Sequence, residues 1–315
     1  MRTRRLGQTE LELTTIGLGT WAIGGPWQYG WGPQDDAESV RTIFAAVEGG
    51  INWIDTAPIY GCGHSEAVVG KALRELGDKP LVATKCGLVW NDKREKVNCL
   101  DAASILRECD DSLRRLGVET IDLYQMHWPQ PDAQIEEAWE AMAKCIKQGK
   151  VRHLGASNVT TDQLERLAKV YPVAAVQPPY SMLRRAIEDE LLDYCGLNGI
   201  GAVCYSPMQK GLLTGKFTKA YRETLAADDH RRQDPNFCGQ QFERNLKLID
   251  ALRPIAERHG KTVAQLAVAW VLRRKEVTSA IVGARKPRQI QETLEAGDWK
   301  LSREDSMEIE TILKQ

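Results

Sequence analysis

A chain of 315 residues, 27% charged and 43% hydrophobic, has the composition of an ordinary globular protein with ample core. Its formal charge of −1 gives no general attraction for nucleic acid or anionic membranes. No apolar run approaches the ~20 residues that span a bilayer, and the basic start Met1-Arg-Thr-Arg-Arg-Leu-Gly7 lacks the apolar stretch of a signal peptide, so a cytoplasmic protein is expected.

Alternation about a Gly-Gln-Thr turn predicts a short hairpin within 3–13, followed by a strand over 15–20. Val40, Ile43, Phe44 and Val47 recur at helical spacing and predict a helix over 36–50, stopped by glycine. A short strand over 52–55 ends at Asp55 and runs into a Pro- and Gly-broken turn that carries Tyr60. The unit then repeats. Helix 64–76 leads to strand 81–85, helix 101–116 to strand 121–127, and helix 135–148 to strand 151–157. Helix 161–170 leads to strand 174–177 and helix 188–197 to strand 201–205. Helices 241–259 and 263–274 precede strand 279–283, and helices 287–295 and 303–313 close the chain. Strict alternation predicts parallel strands with helical crossovers, and eight such units favour a closed α/β barrel, the (β/α)8 TIM barrel, over an open sheet. No composition shift divides the chain, so one barrel domain over 1–315 is expected. It carries an N-terminal β-hairpin and one long loop after strand seven. That connection, 208–240, includes the charged run Asp228-Asp-His-Arg-Arg-Gln-Asp-Pro235, and a loop of this length is expected to be either a functional lid or disordered.

In such a barrel the C-terminal strand ends share one mouth, so polar residues there read as catalytic. In chain order they are Thr20, Asp55, Lys85, His127, Ser157 with Asn158, Gln177, Tyr205, and Ala284 with Arg285. Asp55, Lys85 and His127 come from consecutive strands, and Tyr60 from the loop above Asp55. An isolated phenol, with a pKa near ~10, is a poor proton shuttle. A Lys ammonium beside it lowers that pKa, while a carboxylate holds the Lys in place and charged. His127 can orient a substrate oxygen or share the proton. The set suits protonation of a developing alkoxide, with hydride from a cofactor because no side chain delivers one. Singly, an Asp–Lys pair or a strand-end His is as readily structural; four groups at consecutive tips point to chemistry. Trp21, Trp27, Tyr29, Trp31, Trp90 and Trp128 fall on loops at the same mouth and are expected to line a cleft for apolar, medium-sized carbonyl substrates. Other motifs are incomplete. Gly17-x-Gly19 and Gly61-x-Gly63 do not finish a dinucleotide fingerprint, and 211–217 lacks a spacer and the Ser/Thr of a P-loop. Cys62 with His64 is too short for a zinc site, so no metal is expected. The eight cysteines contain no C-x-x-C pair and are expected to be free.

Gly17-Leu-Gly-Thr-Trp21, Asn52-Trp-Ile-Asp-Thr-Ala-Pro-Ile-Tyr60, Ala83-Thr-Lys85, Asp122-Leu-Tyr-Gln-Met-His127, Gly155-Ala-Ser-Asn158, Val176-Gln177, Tyr205-Ser-Pro207, Lys210-Gly-Leu-Leu-Thr-Gly-Lys216 and Val282-Gly-Ala-Arg-Lys-Pro287 follow in order. With these motifs the chain resembles the aldo-keto reductases over essentially its whole length, the bacterial general-stress type more than the mammalian aldose reductase type. The resemblance implies NADPH-dependent reduction of aldehydes and ketones, with Tyr60 as proton donor in a tetrad with Asp55, Lys85 and His127. It also implies that Ser157, Asn158 and Gln177 hold the nicotinamide carboxamide and that Tyr205 stacks on the ring. Thr20, Trp21 and Asp55 would lie beside the cofactor, and Ser206, Pro207, Met208, Lys210, Gly211 and Leu212 along the pyrophosphate. Gly283, Ala284, Arg285 and Gln289 would meet the adenosine phosphate. Many members of the family carry a Lys-Ser pair where this chain has Gly283-Ala284, and an Arg in place of Gln289. Cationic charge comes instead from Arg285, Lys286 and Arg288, and NADP is expected over NAD. A small-molecule carbonyl substrate and a monomer or weak oligomer complete the expectation. Two other readings stand beside it: a nicotinamide-binding regulatory subunit of the potassium-channel type, and an isomerase or hydrolase using Asp55 and His127. The last leaves Tyr60, Lys85 and Gln177 without a role.

Overall fold

The computed structural model describes residues 1–226 and 229–314; Asp228, in the charged run, lies outside them. Eight parallel strands close into a barrel: β1 (Ile16–Gly19), β2 (Trp53–Asp55), β3 (Leu81–Cys86), β4 (Ile121–Met126), β5 (Val151–Ser157), β6 (Ala175–Gln177), β7 (Gly201–Tyr205) and β8 (Val277–Gly283). Each lies beside the next in sequence and β8 returns to β1, which is the predicted (β/α)8 fold. Helices α1 (Asp36–Glu48), α2 (His64–Glu75), α3 (Ala102–Leu116), α4 (Ile135–Lys147), α5 (Thr161–Val170) and α6 (Leu191–Asn198) follow the first six strands in turn. After β7 come α7 (Lys219–Glu223), α8 (Gly239–Glu257) and α9 (Val263–Val271), and after β8 come α10 (Pro287–Thr293) and α11 (Arg303–Leu313). Helix starts are fixed locally. Asp35 accepts from the Glu38 N–H and Asp101 from the Ser104 N–H, while Thr160 and Thr262 form reciprocal caps with Gln163 and Gln265.

Alternating side chains divide the interior into two cores. Ile54, Val82, Tyr124, Leu154 and Val176 face outward, beneath Val69, Leu73, Ile105, Trp139 and Leu164 of the helices. Each such side chain, taken fully out of water, contributes about 1.5–3 kcal/mol. The inward residues Trp53, Ala83, Leu123, Ala175, Val203 and Ile281 form a second core with Leu6, Leu11 and Leu13 of the N-terminal hairpin (Thr3–Arg5 with Glu12–Thr14), which plugs the barrel floor. Gly17 is required there, since a Cβ would lie 2.1 Å from Trp53 Cε2. The next inward layer, two residues on, is the mouth: Asp55, Lys85, Gln125, Ser157, Gln177 and Tyr205 (β2 to β7).

Two segments differ from expectation. The connection after β3 is a second hairpin, Leu88–Trp90 with Lys96–Asn98, whose turn is held by Asn91 Oδ1 accepting from the Lys93 and Glu95 N–H groups. The long connection after β7 is folded. Phe217 packs edge-on against Phe237 and Phe242, with centroids 4.8 and 5.9 Å away, and α7 and single 3-10 turns wrap this cluster. Its aromatics follow neither helical nor strand spacing, so no periodicity announces it. All eight cysteines are free. Among the described residues no helix is long and apolar enough to cross a membrane.

Candidate active site

Strand β2 delivers Asp55 to the mouth and β3 delivers Lys85, and the two meet at 2.7 Å, both buried. The Lys85 ammonium spends its three hydrogens on Asp55 Oδ2, the Thr56 carbonyl at 2.9 Å and the Tyr60 hydroxyl at 3.3 Å. Tyr60 is placed by the turn after β2, where its N–H donates to the Ala57 carbonyl and its carbonyl accepts from the Ser65 N–H. His127 stands edge-on to it, ring centroids 5.8 Å apart. Sequence neighbours three strands wide therefore converge on one phenol.

Gln125, a residue absent from the sequence-based site, completes the support. Its Nε2 donates to Asp55 Oδ1 at 3.2 Å, and Gln177 Nε2 donates to the same oxygen at 2.8 Å and to Gln125 Oε1 at 3.1 Å. Asp55 thus has one oxygen on Lys85 and the other on two amides. Such satisfaction is what makes a buried charge pair tolerable. The signal was available, since counting back two from His127 along a period-two strand puts Gln125 inside.

Electrostatics corrects one expectation. Burial, and then the Asp55 charge, push the Tyr60 phenol well above its usual value, so the nearby ammonium does not convert it to a phenolate. Desolvation wins here because the hydroxyl is enclosed on the Lys85 side. Burial also lowers the Lys85 ammonium against the opposing pull of Asp55. His127 is driven well below its usual value, first by burial and then by Lys85 and Lys96, so its ring is neutral. The resting site holds a protonated phenol and a neutral imidazole.

A cavity of about 760 Å³ opens above these groups. Trp21, Trp27, Tyr29, Trp31 and Trp128 line it, together with Tyr60, His127, Ser157, Asn158, Gln177 and Tyr205. It continues past Ser206, Pro207, Met208, Lys210 and Gly211 to Gly283, Ala284, Arg285 and Gln289. Three expected residues, Trp90, Thr20 and Leu212, do not line the cavity. Trp90 shares the hairpin face of Leu88 and Lys96 but packs on Ile59 and Leu88 and does not itself line the cavity. Thr20 is buried with its hydroxyl donating to the Asp55 carbonyl and accepting from Ser65, and Leu212 lies in the outer core, so neither side chain faces the cavity. Lys85 is buried as a support behind the cavity wall, in contact with the lining residues Tyr60 and Asp55.

The cofactor-side groups are held by one another. Asn158 Nδ2 donates to the His127 carbonyl and to Ser157 Oγ, its Oδ1 accepts from the Tyr205 hydroxyl at 2.8 Å, and Ser157 Oγ donates to the Gln177 carbonyl. Ser206, Gln209 and Lys210 take positive φ, strained backbone of the kind that clusters at ligand clamps, and Gly211 follows them in the same region without strain. Gln289 Oε1 accepts from the Arg285 and Lys286 N–H groups and so starts α10. Arg285 donates to Gln34 Oε1 and to the Trp31 and Pro33 carbonyls. His230 and Arg231, also absent from the sequence-based site, come over the cavity from the long connection. His230 sits 5.0 Å from Trp21, and Arg231, paired with Asp229, lies 4.4 Å over Trp31. Among the described residues no group of three or more His, Cys, Asp or Glu is placed to share a metal ion.

Fold and mouth together define a (β/α)8-barrel protein whose buried ionisable groups meet an elongated cleft at the strands' carboxyl ends. Sequence comparison narrows this class. The model of the aldo/keto reductase family matches residues 15–314. Aldo-keto reductase YhdN of Bacillus subtilis is 41% identical over 98% of this chain and 92% of its own length. The NADH-specific methylglyoxal reductase of Escherichia coli is 38% identical over 96% and 95%. The solved glycerol dehydrogenase of Gluconobacter oxydans superposes with a TM-score of 0.91 at 42% identity, covering 99% of this chain and 94% of that one. The chain belongs to the aldo/keto reductase family. It is accordingly an oxidoreductase of small carbonyl compounds that works with a nicotinamide cofactor.

Proposed function

We propose that the protein reduces aldehydes and ketones with NADPH, using Tyr60 as the proton donor. The observation that carries this reading is the placement of Tyr60, which lines the cavity with its hydroxyl 3.3 Å from an ammonium fixed by Asp55. The residues fit the cofactor. The donors of Ser157, Asn158 and Gln177 are spent within the protein, so their oxygens would accept from a carboxamide amide; Tyr205 would offer a flat face to its ring, and the 206–211 turn would lie along the pyrophosphate. Trp21 lines the cleft beside them, and Gly283, Ala284, Arg285 and Gln289 close its far end. When bound, the nicotinamide supplies the hydride. Tyr60 supplies the proton to the carbonyl oxygen, and the Lys85 ammonium stabilises the phenolate left behind. Asp55, braced by Gln125 and Gln177, keeps Lys85 charged and aimed. The neutral His127 can donate one N–H to the carbonyl oxygen and set its approach.

The test is to follow nicotinamide absorbance with aromatic, aliphatic and dicarbonyl aldehydes. Oxidation of NADPH by at least one class is expected; none across the panel would favour a regulatory, nicotinamide-binding role. NADP preference rests on Arg285, with Lys286 and Arg288 beyond it. One observation favours NADH instead: Arg285 already donates to three protein acceptors, and Gly283 and Ala284 bring no charge. A kcat/KM for NADH equal to or above that for NADPH selects this second reading.

A further inference from the structure

Five Lys and Arg side chains line the cavity, and four of them are engaged among the described residues. Lys210 pairs with Asp234, Lys216 with Glu292 and Arg231 with Asp229, while Arg285 is spent on Gln34 and the carbonyls of Trp31 and Pro33. The fifth is Lys96, on the hairpin after β3. Its backbone N–H donates to Gln28 Oε1, and its ammonium has no hydrogen-bond or ion-pair partner among the described residues. The carboxylates lining the cavity among those residues are Asp55 and Glu292, held by Lys85 and Lys216, so no acid inside the cleft neutralises Lys96. Asp92 and Glu95 at the hairpin tip are exposed to solvent.

Lys96 also stands at the substrate end. Leu88 and Lys96, one on each strand of this hairpin, line the cleft with Ile59, Trp27 and Trp128, around the phenol and imidazole. The Lys96 charge is near enough to help hold the His127 ring neutral. An aromatic wall with one unpaired ammonium suits a particular ligand shape: a carbonyl at Tyr60 and His127, an apolar middle against the tryptophans, and an anionic far end.

The geometry points to Lys96 as a specificity-determining residue that selects carbonyl substrates bearing a carboxylate remote from the reacting carbon. This rests on the carbonyl-reductase reading of the cavity. The probes are 4-carboxybenzaldehyde and its neutral methyl ester, methyl 4-formylbenzoate, compared by kcat/KM in the wild-type holoenzyme and in Lys96→Met. Taking the ratio of the two probes cancels their intrinsic reactivities and any general damage to the variant. Lys96→Met is expected to lower the acid-to-ester ratio about five- to tenfold, and Lys96→Glu further, with the wild-type preference shrinking as salt rises. Equilibrium binding of the same two probes, read by tryptophan fluorescence, should show the same change without turnover. A ratio that moves less than about twofold in both measurements overturns the proposal, leaving Lys96 a solvated surface charge. If neither aldehyde is turned over but the binding ratio responds to Lys96, the anion site stands and the reductase reading falls.

Discussion

The two ends of the barrel handle inward polarity in opposite ways, and β2 shows both. Trp53 faces the floor, where its indole N–H donates to the Thr14 carbonyl and Ser279 Oγ, and Ser279 in turn donates to Thr14. Every polar atom in that cluster is neutral and paired, and leucines from the hairpin seal it. Two residues later Asp55 faces the mouth, where a full charge pair is buried and one of its partners ends on a cavity. The floor is built to stay closed. At the mouth, a protonated phenol is held ready for a ligand. The lesson is that depth within the barrel, rather than residue type alone, decides whether an inward polar group holds the fold or does chemistry.

The strongest test of this division is Tyr60→Phe, which removes one hydroxyl at the mouth and nothing at the floor. Turnover should fall by about 10²–10⁴-fold, the usual worth of a general acid, with cofactor binding and thermal unfolding little changed. Near-full activity would show that the proton comes from elsewhere. The converse experiment is Trp53→Ala. It should cost about 3–5 kcal/mol in denaturant unfolding, as other large-to-small core changes do, while the folded fraction keeps turning over. Loss of turnover in fully folded Trp53→Ala would mean that the two ends are not separable.

A smaller effect probes a carboxylate outside the barrel lumen. Glu108 on α3 accepts from the Gly87 N–H and Ser104 Oγ at the root of the mouth hairpin. Burial pushes its carboxyl up to about 7 from an ordinary 4.5, against those hydrogen bonds. Between these values the folded chain keeps a proton that the unfolded chain has lost. Its contribution is therefore complete below pH 4.5 and lost as pH rises through 7, by at most about 3 kcal/mol. Glu108→Gln should raise the unfolding midpoint over wild type at pH 8 and much less at pH 4.5. An equal change at both values would remove the titration from the account.

Much of this was legible in the chain. The alternation of helix and strand, the helix stops and caps, and the period of two that carries Asp55, Lys85 and Ser157 inward are local properties of neighbouring residues. They determined the barrel and the line of polar strand tips. Other features depend on closure of the barrel. Asp55 and Gln177 lie 122 residues apart and share a hydrogen bond only because β2 and β6 face each other across the lumen. The enclosure that keeps the Tyr60 proton in place, the burial of Thr20 and Leu212 out of the cleft, the packing of Trp90 on Ile59 and Leu88, and the arrival of His230, Arg231 and Lys96 at the cleft walls were likewise decided in three dimensions. Loop direction and desolvation depend on which distant segments pack alongside, and local periodicity carries no record of that.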